Sequence, residues 1–434
     1  MSKIKIVNKY ALEAHGLASR VYAAGLLHLL LSIFFVQGMV YLVQFVIARL
    51  IDPVGFGIVR SVEAVIGIAV VLGSAGMPTL AVKAIAEVSD PAVRKRLLGR
   101  LVRITAVVSV TVAVFMTLIG QWFVVPEAYP YLKAMIWVIA LTTASRTIMN
   151  YFQGISQFQK MSVMNACLAA ISCAALAAMV VVSGLRGWLA GRYLGEVLFL
   201  AGGAALIWGK IQFSGEVPAA YSFRRLVPMG VTISLSLVVR VTIDNIGLFV
   251  LGYTRQSPEA AGLFGLSLLI ITGAGILHGG IVSVTLPRMV EKMQVSRPDA
   301  WRFYMRVLKW MLALTLLIAV TVIVASPSIS FIFGGNYAPA APVLAILSLC
   351  IPLRAVTALA GALLLTSDRV NATLWINLVC LVFSVLILPI AVKRYGINGL
   401  AWGALVVEGL CASLYVLATR RFFAEDGLPG VSAA

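Results

Sequence analysis

Long apolar runs broken by short polar turns fill almost the whole chain, and run length decides how they are read. A helix that crosses the hydrocarbon core needs about 20 mainly apolar residues. On that basis helices are expected near 24–48, 57–82, 101–125, 131–152, 161–183, 188–209, 227–252, 262–286, 304–325, 340–366, 371–392 and 397–419. A transmembrane barrel would show shorter segments of alternating hydrophobicity instead. One run breaks its own pattern. Between Leu235 and Gly265, a stretch otherwise fit for lipid carries Arg240 and Asp244. An ionised group at bilayer depth costs roughly 2.5–3.5 kcal/mol on insertion scales. Two in one helix call for a buried pair or a wet cavity.

Composition agrees with the pattern. Of 434 residues, 61% are hydrophobic and 12% charged, where a soluble protein carries about 25% charged residues. The expected fold is an all-α integral membrane protein. The net charge of +18 would suggest nucleic acid in a soluble chain. Here it is absorbed by the positive-inside rule, and no nucleic-acid partner is expected. Lys83, Arg94, Lys95, Arg96, Arg100 and Arg103 fall in one inter-helix segment, and Arg288, Lys292, Arg297, Arg302, Arg306 and Lys309 in another. Segments on the other side are short and carry few, among them Arg49, Lys133, Arg186, Arg192 and Arg255. Both termini are therefore expected in the cytoplasm. The domain plan is a basic segment 1–20, an N-lobe 21–209, a linker 210–226, a C-lobe 227–419 and a tail 420–434. The apolar run after residue 20 is too long for a signal-peptide core. Cys167, Cys173, Cys350, Cys380 and Cys411 lie in apolar segments without metal spacing and read as small core residues. No cofactor or metal is expected.

The chain repeats itself. Gly184-Leu-Arg-Gly187-x-x-x-Gly191 leads to Glu196, and Gly396-Ile-Asn-Gly399-x-x-x-Gly403 leads to Glu408 with the same spacing. Pro53 to Gly57 resembles Pro258 to Gly265, Pro78 resembles Pro287, and Gln159-Lys160 matches Asp368-Arg369. One offset near 210 residues fits every pair. Six helices per half is an even number, so two six-helix lobes would be related by an axis along the membrane normal, a parallel repeat.

At this point the residues resemble a family. Ala48-Arg49-Leu50-Ile51-Asp52-Pro53-Val-Gly-Phe56-Gly57 resembles the element that follows the first helix of oligosaccharide flippases. Gly73 to Pro78 with Ala84 to Glu87 is similar to that family's second-helix ending. Asp244, Leu251-Gly252 and Gly262-Leu-Phe264 are similar to its seventh and eighth helices, and Phe333 to Ala340 to the loop before its tenth. The family is the polysaccharide transporters of the multidrug/oligosaccharidyl-lipid/polysaccharide exporter superfamily. Ile51-Asp52 stands where the family has Leu-Gly. The resemblance implies twelve helices, a central cavity and a bacterial cytoplasmic membrane. It also implies that helices one, two, seven and eight line the path. Arg60, Glu63, Arg240, Asp244, His28 and His278 would then face it.

Each intramembrane charge has two readings. Arg60 with Glu63 (i, i+3) and Arg240 with Asp244 (i, i+4) sit on single helix faces. They are either self-neutralising pairs or parts of a site. Arg146 and Arg354 occupy equivalent places in the two halves, as do Glu196 and Glu408. Features present in both halves are read as scaffold, Arg146 pairing with Glu196 and Arg354 with Glu408. The two histidines are packing residues or, if wetted, groups that titrate near neutral pH.

The expected function is a flippase for polyprenyl-pyrophosphate-linked oligosaccharide in cell-surface polysaccharide assembly (exopolysaccharide or O-antigen). Arg240 would contact the diphosphate, with Arg60 near the outer exit. Asp244 would pair with Arg240 or carry a coupling proton or sodium ion. The alternative is a cation-coupled drug antiporter of the same superfamily. An enzyme is disfavoured because no nucleophile motif, metal triad or phosphate loop appears. A monomer is the default.

Overall fold

The computed structural model describes residues 31–32, 34–155, 157–207, 209, 211–213, 215, 218, 221, 223–366 and 370–424. His28, the basic segment 1–20, Lys210, Asp368 and Arg369 lie outside the described residues. Among those described, all regular structure is helical.

The helix starts follow from their caps. α1 (Phe34–Leu50) ends at a sharp turn. Asp52 then accepts the Gly55 amide at 2.9 Å and opens α2 (Pro53–Ser74), with Pro53 where its missing N–H is not needed. Asp90 does the same for α4 (Pro91–Ile119), Ser257 for α9 (Pro258–Val295) and Ser296 for α10 (Arg297–Ala325). These caps begin α4, α9 and α10 several residues ahead of the apolar runs. Arg94 to Arg103 and Arg288 to Lys309, read from sequence as connecting segments, therefore stand mostly on helices. Positive φ at Ala75 and Gly76 bends the chain out of α2 into α3 (Met77–Glu87). α5 (Tyr129–Met135) and α6 (Val138–Gly154) form a pair bent by 51°.

α7 (Phe158–Leu206) contains one residue of non-helical backbone, Gly184 at φ 54°, ψ −127°. The limbs on either side pack antiparallel. A Cβ on Gly187 would meet Met179, one on Gly191 would meet Leu176, and Ser172 Oγ donates to the Gly195 carbonyl at 3.0 Å. α8 (Phe223–Tyr253) follows the linker and precedes α9. After α10 come the short α11 (Ile329–Phe333) and a second bent pair, α12 (Ala340–Ser348) and α13 (Cys350–Thr366), at 40°. α14 (Val370–Ala424) repeats the α7 device at Gly396, φ 62°, ψ −149°. Among the described residues, by length and composition, six helical stretches can cross a bilayer, or eight if each bent pair is one span.

The surface suits lipid: Leu118, Val182, Leu317 and Phe331 point outward. Several buried hydroxyls are satisfied within their own helices. Thr105, Thr143, Ser267, Thr315 and Ser384 each donate to the carbonyl one turn back. Four of the five cysteines are buried, but Cys167 is exposed, contrary to the core reading.

The halves meet where α2 packs on α9. A Cβ on Gly57 would lie 1.8 Å from the Pro258 carbonyl, and one on Gly262 would lie 1.9 Å from the Pro53 carbonyl. Only glycine allows this reciprocal approach. Phe56, Phe264 and Tyr337 are buried around it, and the Tyr337 hydroxyl donates to the Ile51 carbonyl at 3.1 Å. At the opposite end of α2, Gly230 of α8 approaches the Ala75 carbonyl as closely.

Candidate functional site

α1 comes from the first half of the chain, and a polar cavity lies on each side of it. The first, about 400 Å³, is lined by Phe34, Gln37 and Tyr41 of α1, Arg240 and Asp244 of α8, Thr272, His278 and Ser283 of α9, and Arg354 of α13. Arg240 Nη2 lies 2.9 Å from Asp244 Oδ1, and both side chains are about one-third exposed, at 35% and 33%. The pair is therefore presented to the cavity instead of being sealed in a core. Arg354 is deeper. Its Nε donates to Glu408 Oε1 at 2.8 Å, and the two side chains are only 13% and 6% exposed. A void of about 30 Å³ touches Asp244, Arg354 and Glu408 together, room for a water. The two ion pairs are thus neighbours in one electrostatic cluster. His278 is partly buried, and its Nδ1 has no partner among the described residues.

The second cavity, about 460 Å³, lies within the first half. α1 contributes Gln37 and Gln44, α2 contributes Glu63, α6 contributes Arg146 and Asn150, and α7 contributes Asn165, Arg192 and Glu196. Gln44 Nε2 donates to both Glu63 oxygens, at 3.0 and 2.9 Å, and Arg60 Nη1 stands 3.5 Å from Glu63. Gln37 lines both cavities.

Each expected site residue among those described has a place. Arg240, Asp244 and His278 share one cavity, and Glu63 opens on the other. Arg60 lines neither. It is buried across Gly265 of α9, where a Cβ would meet its Cγ at 2.8 Å. It stands at the seam between halves, where the missing side chain of Gly265 leaves room for it. His28 lies outside the described residues. Of the two scaffold pairs, Arg354–Glu408 is made. Arg146–Glu196 is not within ion-pair distance, because Arg192 takes Glu196 at 3.1 Å from one turn away on the same limb. Arg354 also lines the first cavity, which a purely structural role did not predict.

Several contributors were not singled out from sequence. Gln37 and Gln44 are seven residues apart on a helix face with no other strongly polar group, a signal that was available. Arg192 was read as belonging to a connecting segment. It lies within the helix expected near 188–209, and its i, i+4 spacing to Glu196 was the clue. Two glycines of α9 serve packing: Gly273 faces the Tyr41 ring and Gly280 faces Phe34, and α9 runs on unbroken. Among the described residues no group of three or more His, Cys, Asp or Glu side chains could hold a metal.

Long apolar helices around two charged chambers define a protein of several membrane spans. The chain belongs to the polysaccharide biosynthesis protein family, whose model matches residues 22–293. Solved structures share the fold. An inward-facing multidrug resistance transporter of the MATE family in the MOP superfamily superposes with TM-score 0.69 at 15% identity, over 90% of this chain and 95% of that one. The lipid II flippase MurJ, in an inward closed conformation, also gives 0.69, at 13% identity over 89% and 86%. A MOP-superfamily transporter from Pyrococcus furiosus gives 0.64 at 12% identity over 92% and 95%. These neighbours are transporters and a flippase, not enzymes. None of the curated proteins matches the sequence.

Proposed function

We propose that the protein is a flippase that carries polyprenyl-pyrophosphate-linked oligosaccharide across the bacterial cytoplasmic membrane by alternating access. The observation that carries this reading is the cluster of Arg240, Arg354 and His278 in one chamber, inside a polysaccharide biosynthesis family. A diphosphate moved through lipid needs a polar chamber with planar guanidinium donors, which bind phosphate oxygens by charge-assisted and often bidentate bonds. Arg240 is the partly exposed arginine of the two, so it can leave Asp244 for the cargo. Asp244 then becomes free to take a proton or a sodium ion, which couples cargo to gradient. The polyprenyl tail stays in the bilayer. The lipid-linked cargo named for MurJ supports the same class of substrate.

Alternating access asks for two lobes that rock. If both bent pairs count as spans, α7 and α14 divide at their glycines, and α1 and α8 are added, there are twelve crossings. The reciprocal contact of Pro53 and Gly57 with Pro258 and Gly262, each pair separated by the same sequence offset, supports a two-fold axis along the membrane normal. The Lys and Arg distribution supports cytoplasmic termini.

The test is translocation of a defined lipid-linked oligosaccharide in proteoliposomes, with and without a proton or sodium gradient. Arg240→Ala is expected to abolish translocation while the purified protein keeps its melting behaviour. Wild-type rates in that variant would remove Arg240 from the path.

A further inference from the structure

The cavity of the first half contains a cation that no carboxylate holds in an ion pair among the described residues. Arg192 is paired with Glu196 at 3.1 Å. Glu63 takes both Gln44 hydrogen bonds and faces Arg60. Arg146 has no carboxylate within ion-pair distance among the described residues, although Glu196 is near enough to favour its charge, and its exposed side chain lines the cavity. In the second half the equivalent arginine, Arg354, is held by Glu408 at 2.8 Å. The difference has one visible cause. The position matching Arg192 is Ala404, so no cation one turn away on the same limb competes for Glu408.

We infer that this cavity is the glycan subsite, and that Arg146 binds the carboxylate of an acidic, uronate-type sugar. The inference rests on the flippase reading above and adds to it. Asn150, Asn165 and Gln37 around Arg146 offer neutral donors and acceptors, which match sugar hydroxyls. A diphosphate fits this chamber poorly. Its two arginines are balanced by two glutamates, and a dianion would add charge against both. A single carboxylate matches the single unpaired guanidinium, and Arg meets a carboxylate in a planar, two-bond geometry. The diphosphate then lies in the neighbouring chamber with Arg240. Gln37, which lines both, is where the two parts of the cargo would meet.

The experiment measures binding to purified full-length protein in detergent with three probes. They are a uronate-containing trisaccharide, the same trisaccharide with its carboxyl reduced to the alcohol, and a sugar-free polyprenyl diphosphate. Wild type is expected to prefer the acid over the reduced sugar by on the order of tenfold, the worth of one charge-assisted hydrogen bond. Arg146→Gln is expected to lose that preference, and Arg146→Lys to keep part of it. Equal affinity for the two trisaccharides in wild type, or a preference that survives Arg146→Gln, overturns the subsite. Failure of the sugar-free lipid to bind wild type strikes the flippase reading instead. The comparison between the two trisaccharides is read independently of that arm. A melting temperature within a few degrees of wild type establishes that each variant is folded.

Discussion

The two halves place the same arginine and the same glutamate at matching positions and use them differently. In the second half Arg354 and Glu408 close on each other, almost out of reach of water. In the first half Glu196 is taken by Arg192, and Arg146 faces an open chamber. Four residues before these glutamates the first half has Arg192 and the second half Ala404. On the subsite reading proposed above, a scaffold acquires a binding group without gaining a residue at the binding position. It needs only a competitor for the partner.

The sharpest way to break this comparison is to remove the glutamates in turn. Glu408→Ala leaves Arg354 buried and unpaired and should cost about 3–5 kcal/mol. Glu196→Ala leaves Arg192, about one-third exposed to the cavity, and should cost about 1 kcal/mol or less. Unfolding midpoints of both variants in the same detergent decide the matter, and equal losses would mean the halves are not different. A smaller effect is expected from Arg192→Ala, which makes the first half resemble the second. Glu196 should then recruit Arg146. The acid-over-alcohol preference of the glycan assay should fall about as far as in Arg146→Gln, on the order of tenfold. An unchanged preference would show that Arg192 does not hold the glutamate away.

The smallest effect concerns the contact between halves at the linker. The Tyr221 hydroxyl donates to Glu87 at 3.0 Å, and its carbonyl accepts from Arg100 at 3.3 Å. Burial, together with the bond to Glu87, raises the hydroxyl above its ordinary range. A raised folded-state value means the contribution is complete below the unfolded tyrosine value, about 10. It is lost as pH climbs through the higher folded one. Tyr221→Phe should cost about 0.5–1 kcal/mol at neutral pH. Its stability should converge with wild type at strongly alkaline pH, which parallel melts at pH 7 and above pH 10 would detect.

Much of the fold was legible because it depends on local rules. Run length gave the helices, and Gly184 and Gly396 announced the matching turns in α7 and α14. Arg240 and Asp244 were recognisable because i, i+4 spacing fixes a contact without knowledge of any other helix. What was not legible depends on distant partners. The place of Arg60 is decided by Gly265, about two hundred residues away. The fate of Glu196 is decided by a competition between Arg146 on another helix and Arg192 on its own, which symmetry alone misjudged. Helix ends near Arg94 and Arg288 were misplaced because hydropathy marks where lipid begins, whereas Asp90 and the Ser296 turn mark where helices begin and end.

The turns at Gly184 and Gly396 have a further consequence. A Cβ built on either would meet nothing within 4 Å, so space is not what excludes a side chain there. The obstacle is the sign of the backbone angles, φ 54°, ψ −127° and φ 62°, ψ −149°. These are the mirror images of an ordinary extended conformation, open to glycine and strained for any L-residue. The reversal is thus specified by handedness. D-alanine, introduced by semisynthesis, should be accepted at both positions where L-alanine is refused. The two hairpins would then be distinguishable from every tightly packed glycine in the molecule by stereochemistry alone.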